Sequence, residues 1–311
     1  MLSYESISEL YKTAEVQQKR IREIVLEDQA AQLEQPEEAL IRQMEENLTV
    51  MLEAIENGSK PEVKSPSRLT GGDAYRLRQT IEAGKHLCGD LMSNAIQMAM
   101  AVSEINAAMG KIVAAPTAGS CGILPGALGA LLKIHGVPRE DVVLSLFTAG
   151  AIGMVVANKA SIAGASGGCQ AECGTASAMA AACIVELLGG TPEMAAHAVA
   201  ITLKCILGLV CDPVAGLVEI PCIKRNASGV TLAFTAAELA LAGIKSAIPV
   251  DETIEALKRV GDGLPASLRE TARGGLAITP TGQKFEQQVF GTRTPVTSSP
   301  RSTCGSCGSC G

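Results

Sequence analysis

Long runs of small apolar residues are the feature that most restricts how this chain can fold. The runs are broken by Gly or Pro and cover residues 91–113, 126–135, 140–160, 174–189, 193–210 and 227–247. Ala, Leu and Met dominate several of them, and their lengths exceed that of an ordinary strand. Because Ala is the best helix former and a poor strand former, the sequence predicts an all-α fold, a bundle of buried small-residue helices.

The N-terminal region differs from the rest of the chain in charge. Residues 1–64 carry 14 of the 32 carboxylates, against seven Lys and Arg. Residues 36–57 place apolar side chains at spacings of three and four, which predicts a helix with Pro36 in its first turn and Gly58 at its C′ position. A shorter helix is predicted over residues 5–29.

The changes in composition predict three parts. Acidic helices in residues 1–64 pack on the core, and an all-helical domain occupies residues 65–290. A flexible Cys-rich tail is expected over residues 291–311, where helical periodicity is lost. The boundary candidate is the Pro-, Ser- and Gly-rich segment at residues 58–74, which is typical of a linker or surface loop.

Charge and composition restrict the class of function. A formal charge of −6, no Trp, three Tyr and four Phe argue against a nucleic-acid partner, because phosphate is repelled and stacking platforms are few. The polar, acidic start MLSYESISEL is not typical of a signal peptide, so we expect a cytoplasmic protein. The run at residues 140–160 approaches the ~20 residues of a membrane span, but Asp141, Asn158 and Lys159 bracket or interrupt it. No membrane association is predicted, and a small-molecule substrate fits better.

Three cysteines lie in loops that are punctuated by Gly and Pro. They are Cys169 in GASGGCQAECG, Cys211 in GLVCDPVAG and Cys222 in EIPCIKRNA. Thiolates are the ligands of iron–sulfur clusters, and glycine lets a backbone wrap closely around an inorganic core. Three such ligands, rather than four, would leave one iron open. The pattern indicates a metal site without identifying it.

Other cysteines have plainer interpretations. Eleven cysteines in a chain that we expect to be cytoplasmic favour reduced thiols over a disulfide framework. Cys88, Cys183 and Cys205 are predicted to be core residues. Cys169 and Cys173 stand at helical spacing and form either a zinc-chelating pair or two core thiols. The terminal CGSCGSC has the spacing of some ferredoxin segments, but a Gly-Ser tail cannot shield a cluster from solvent.

The segment AAPTAGSCGILPG, residues 114–126, places Thr117 and Ser120 in a turn between two helical runs. Backbone N–H groups in such a turn can hold a carboxylate. An ordinary interhelix turn of small residues is the equal alternative.

Taken together, PTAGSCGILPG, GCQAECG and CDPVAGLVEIPCIKRNA closely resemble the α chain of the bacterial iron–sulfur-dependent L-serine dehydratase family, also called L-serine ammonia-lyase. The resemblance extends over nearly the whole chain. It implies a 4Fe–4S cluster in glycine-rich loops, held by Cys169, Cys211 and Cys222, and it makes residues 65–290 the cluster-binding catalytic domain. In this family a C-terminal cysteine occupies the open iron in the resting state, and the matching candidates are Cys304, Cys307 and Cys310.

The resemblance also implies a reaction and a partner. L-serine would be deaminated to pyruvate and ammonia without pyridoxal phosphate, with the open iron as Lewis acid. Family members on one polypeptide carry an additional α/β domain with a Ser-Ser-His-Thr motif, which this sequence lacks. A separate β chain is therefore the expected partner, in a heteromeric enzyme.

Two segments supply the candidates for substrate contact. Substrate anchoring is expected from Thr117, Ser120 and the backbone of their turn. Secondary candidates follow a cluster ligand directly and are Lys224, Arg225 and Asn226. His86, His135 and His197 have suitable chemistry for the proton acceptor, although a lone histidine is more often a surface or core residue, and the acceptor can equally come from the β chain. The alternatives are a related iron–sulfur lyase acting on L-cysteine or another β-substituted amino acid, and a non-catalytic metal-binding scaffold.

Overall fold

A computed structural model describes residues 4–291, and within that range the chain forms helices and no β-strand. The prediction of an all-α fold is confirmed. The α-helices are α1 (Ile7–Val16), α2 (Ile21–Leu33), α3 (Glu37–Gly58), α4 (Asp73–Glu82), α5 (Gly89–Ala107), α6 (Ile123–Ala130), α7 (Arg139–Lys159), α8 (Gly164–Gly167), α9 (Cys169–Leu187), α10 (Pro192–Ile206), α11 (Cys222–Leu241), α12 (Val250–Gly263) and α13 (Pro280–Phe290).

Helix α9 lies at the centre of the bundle and contacts α6, α7, α10 and α11. Nearly every residue of α9 is buried, and most are Ala, Gly, Ser, Thr or Cys. Small side chains let the neighbouring helices approach closely. An added Cβ at Gly174 would lie 2.8 Å from the side chain of Ile206. The small-residue composition therefore sets how tightly the bundle packs.

The N-terminal helices are attached to the core by apolar and charged contacts. Residues 5–29 form two helices rather than the predicted one, because the chain turns at Gln18, which has a left-handed φ of 55°. In α1, Ile7 is fully buried and its N–H donates to the Asp251 carboxylate of α12. In α2, the Arg22 guanidinium donates to Asp141 of α7 at 2.8 Å.

Helix α3 follows the prediction with two corrections at its ends. Pro36 precedes the first helical residue instead of lying in the first turn. Gly58 is the last helical residue, not a left-handed C′ position. Its role is close packing, because an added Cβ would lie 1.9 Å from the carbonyl oxygen of Ala101 in α5.

The predicted boundary segment, residues 58–74, is mostly the loop between α3 and α4, and two contacts hold it to the core. The buried carboxylate of Glu104 in α5 accepts hydrogen bonds from three successive backbone N–H groups, those of Gly72, Asp73 and Ala74. These contacts cap the N-terminus of α4. Farther back in the loop, a Ser67 hydroxyl donates to the buried carboxylate of Glu219. Glu104, which interrupts an apolar run in the sequence, is thus a capping group.

Among the helices of residues 4–291, α7 alone is long and apolar enough to cross a membrane by length and composition. Its apolar stretch has a mean hydropathy of 1.6 and is 67% buried inside the protein. It packs against α2, α3 and α9. These contacts are those of a core helix, so the composition is weak evidence for a membrane span.

Two of the cysteines predicted to be core residues lie on the surface. Cys183 in α9 is buried as predicted, whereas Cys88 and Cys205 are exposed. Cys88 precedes the first residue of α5, and Cys205 lies in the last turn of α10. Both cysteines lie at a helix end, where local sequence does not show whether another part of the chain covers the side chain.

We expect Gly58→Ala to lower the free energy of unfolding by on the order of 3 kcal/mol, the upper part of the usual overpacking range, because two backbones must separate. Gly150→Ala in α7 is the matched control. No atom lies within 4 Å of its added Cβ, and the left-handed region is not required there. The control should gain about 0.5–1 kcal/mol from helix propensity. Urea denaturation of both variants tests this, and equal effects would contradict the close-packing role.

Candidate metal centre

The three predicted cluster cysteines are buried, two of them at helix N-termini and one in a loop. Cys169 is the first residue of α9 and Cys222 the first residue of α11, while Cys211 lies in the loop after α10. Their exposed fractions are 3%, 9% and 4%. The backbone N–H of Cys211 donates to the carbonyl of Leu268, and its carbonyl accepts from Glu270, which fixes the loop. Helix N-termini favour negative charge, so two of the thiols occupy places that suit thiolates.

The three thiols belong to one electrostatic group. Burial, followed by the negative charge of Cys169, raises the pKa of Cys211 well above its usual range. The same two causes raise the pKa of Cys222 to about 12. Cys169 behaves differently, because its hydrogen bond with the Cys173 thiol, 3.3 Å away, lowers its pKa and the Arg225 guanidinium adds to the effect. Cys169 is therefore the thiol that ionises first.

A glycine makes room beside the thiols. An added Cβ at Gly164 would lie 2.9 Å from the Cys211 sulfur and 2.9 Å from a carboxylate oxygen of Glu172. Gly168, with φ of 77°, turns the chain into Cys169. The donor set of buried thiols and the glycine cradle fit an iron–sulfur cluster, whose ligands are thiolates and whose surface demands close backbone approach.

Within residues 4–291, no three His, Cys, Asp or Glu side chains are arranged to hold one metal ion. Cys169 and Cys173 consequently lack a complete donor set for zinc in this part of the chain. In an iron–sulfur cluster each cysteine binds a different iron, so its thiols do not converge on one point.

The Thr117 turn lies against the first turn of α9. The Thr117 hydroxyl donates to Glu172 at 2.9 Å and lies 3.1 Å from the hydroxyl of fully buried Ser120. Burial raises the pKa of Glu172. Sequence reasoning missed Glu172, although its spacing of three from Cys169 places it on the same face of a helix. The structure thus brings the predicted turn and the predicted ligand helix together.

Asn226 holds that turn in place. Its side-chain oxygen accepts from the Gly122 N–H at 2.9 Å, and its amide nitrogen donates to the carbonyl oxygens of Gly119 and Cys222. These bonds use both amide hydrogens, which leaves no donor for a substrate. Asn226 therefore fastens the Thr117 turn to α11, and a substrate contact from it stays a prediction.

The two basic candidates also have partners within the protein. Arg225 donates to the carbonyl oxygen of Val210 and to the Asp212 carboxylate, each at 2.8 Å. These bonds hold the loop on both sides of Cys211, and the positive charge offsets thiolate charge. Lys224 is exposed and forms an ion pair of 3.0 Å with Asp73 at the start of α4.

The three histidines form no hydrogen bond with the thiols or with Glu172 in the described part of the chain. His86 pairs with Asp90 at 2.9 Å, and the Nδ1 atom of His197 accepts from the Ser246 N–H. His135 is exposed at the end of the turn that follows α6. The tail candidates Cys304, Cys307 and Cys310 lie outside the described residues.

The fold and the site together define a class, an all-helical protein with a candidate cluster centre built from buried thiols and a glycine cradle. The chain belongs to the serine dehydratase alpha chain family, whose profile matches residues 16–277. The family resemblance seen in the sequence is confirmed, and so is the prediction that the chain is a subunit of an enzyme.

Named relatives match the chain over most of its length. It is 51% identical over 288 residues to a Bacillus subtilis protein named "Probable L-serine dehydratase, alpha chain", with 93% of this chain and 96% of the relative covered. It is 46% identical over 272 residues to the Peptoniphilus asaccharolyticus "L-serine dehydratase, alpha chain", covering 87% and 93%. Identity to the Escherichia coli "L-serine dehydratase TdcG" is 42% over 235 residues, 74% of this chain but 52% of the relative.

We expect Asn226→Ala to destabilise the protein, because the Gly122 N–H and the Gly119 carbonyl lose their partner. Each buried polar group left unsatisfied costs about 1–3 kcal/mol. Ser228→Ala, on the exposed side of the same helix, is the control and should stay within about 0.5 kcal/mol. Urea denaturation measures both effects. Equal stability of the two variants would show that Asn226 does not fasten the turn.

Proposed function

We propose that this chain is the α subunit of a cytoplasmic enzyme that deaminates L-serine to pyruvate and ammonia, with a 4Fe–4S cluster and without pyridoxal phosphate. The observation that carries the proposal is the grouping of Cys169, Cys211 and Cys222 beside a glycine cradle. Membership of the serine dehydratase alpha chain family supports the substrate.

The three cysteines would hold the cluster as thiolates. Cys169 is prepared for this role by the hydrogen bond with Cys173 and by the charge of Arg225. When bound, the cluster supplies a Lewis acid for the departure of the serine hydroxyl, which is a poor leaving group on its own. Arg225 then balances part of the negative charge of the centre, and Asn226 keeps the Thr117 turn against it.

The Thr117 turn would orient the substrate. Because the Thr117 hydroxyl gives its proton to Glu172, its oxygen remains available as an acceptor. The neighbouring Ser120 hydroxyl then donates to that oxygen, 3.1 Å away, and the backbone of the turn would receive the substrate carboxylate. In the overall reaction, loss of the α-proton and the hydroxyl gives aminoacrylate, which tautomerises to an imine and is hydrolysed to pyruvate and ammonium.

A β chain would complete the site. The chain covers only 52% of the E. coli relative TdcG, so about half of that longer polypeptide has no counterpart here. The alpha chain names of the other relatives also indicate a second chain. The histidines of the described residues hydrogen-bond elsewhere or lie exposed, which supports a proton acceptor supplied by the partner.

We expect Cys169→Ser, Cys211→Ser and Cys222→Ser each to abolish the broad visible absorption of anaerobically purified protein, because each removes a thiolate ligand. Iron and acid-labile sulfide should fall in parallel. Cys205→Ser, at an exposed position in α10, is the control and should keep the spectrum. An unchanged spectrum in any of the three variants would remove that cysteine from the ligand set.

The reaction is tested by anaerobic reconstitution with iron and sulfide, with and without the β chain, followed by a pyruvate assay on L-serine. We expect pyruvate from the assembled enzyme and little from this chain alone. L-cysteine is the comparison substrate and should give a lower kcat/KM. Iron-loaded, assembled enzyme that releases no pyruvate from L-serine would contradict the proposed reaction.

A further inference from the structure

A cavity of about 630 Å³ opens beside the loop that joins Cys211 to Cys222. Leu217 and Glu219 of that loop form one wall, and Ser67 and Arg68 of the loop before α4 form another. The cavity is large enough for an amino acid. Its two charged lining residues, Arg68 and Glu219, have opposite signs.

Glu219 is a buried carboxylate without a cationic partner among residues 4–291. Its exposed fraction is 6%, and it accepts hydrogen bonds from the hydroxyls of Ser67 and Thr70. Among residues 4–291, no Lys, Arg or His nitrogen lies within 4.0 Å of its carboxylate oxygens. Buried charges in proteins are normally paired, because removing them from water is costly. The cavity therefore presents an uncompensated negative charge at this wall.

Arg68 supplies the opposite charge from the neighbouring loop. It has a left-handed φ of 61°, a conformation that non-glycine residues seldom adopt and that is concentrated at functional sites. The turn is held by the Arg68 N–H, which donates to the Ser65 carbonyl. No carboxylate of the described chain forms an ion pair with the exposed Arg68 guanidinium. Its donors remain available for a planar anion such as a carboxylate.

We propose that this cavity binds a free α-amino acid as its zwitterion, with Glu219 receiving the ammonium group and Arg68 the carboxylate. Two separated, unpaired charges complement such a ligand better than a simple anion or cation. The Ile223 N–H donates to the Glu219 carbonyl, so the acidic wall continues directly into the first turn of α11 and Cys222. The choice of L-serine as the ligand rests on the proposed function. The charge pattern is independent of that function and indicates only the class, an α-amino acid.

Ligand-observed NMR titration of the anaerobic full-length chain tests the site with three probes. L-serine carries both charges, ethanolamine only the ammonium, and glycerate only the carboxylate. Wild-type protein should bind L-serine most tightly. Glu219→Gln should weaken L-serine and ethanolamine binding at least tenfold and leave glycerate unchanged. Arg68→Gln should weaken L-serine and glycerate and leave ethanolamine unchanged.

The controls separate binding from folding and from turnover. Glu62→Gln changes an exposed carboxylate in the same region and should leave all three affinities unchanged. Because Arg68 is exposed, Arg68→Gln should leave the fold intact. It therefore still tests the site if Glu219→Gln alters the unfolding midpoint. Undiminished L-serine binding in both variants, or no L-serine binding by the wild type, would overturn the site. Selective binding without pyruvate release would keep the site and contradict the proposed reaction.

Discussion

Close contact between helix backbones is the constraint on which the rest of this structure depends. Gly58 lies against the Ala101 carbonyl, and Gly122 lies so near the Ala99 carbonyl that an added Cβ would be 2.1 Å from its oxygen. Such contacts are open only to residues with little or no side chain, which explains the Ala- and Gly-rich composition. They also set the distances of α3 and α6 from α5.

The candidate metal centre follows from that packing. Helices α9 and α11 lie side by side, and each presents a cysteine as its first residue. The Thr117 turn reaches the same place because Asn226 of α11 binds its backbone. Gly164 lies so close to the Cys211 sulfur and the Glu172 carboxylate that a side chain would not fit there. The close packing that excludes bulky side chains from the core thus brings thiols from three separate segments together.

Buried carboxylates have different roles in this protein according to their partners. Glu104 accepts three backbone N–H bonds and caps α4. Glu172 accepts the Thr117 hydroxyl beside the thiols. Glu219 has hydroxyl donors but no cation within the described chain, and it lines a cavity. Backbone N–H groups satisfy Glu104 and the Thr117 hydroxyl satisfies Glu172, whereas the Glu219 carboxylate forms no ion pair within the described residues.

The sequence by itself determined the helical class, most helix positions and the three candidate cysteines, because Ala-rich runs and Gly-flanked thiols are local signals. It did not determine the roles of Asn226 and Arg225, which hydrogen-bond to Gly122 and Asp212 across the fold, or the site positions of Glu172 and Glu219. Exposure of Cys88 and Cys205 was equally hidden. Partners distant in sequence meet only through tertiary packing, and packing decides which polar atoms are already occupied and which remain open to a ligand.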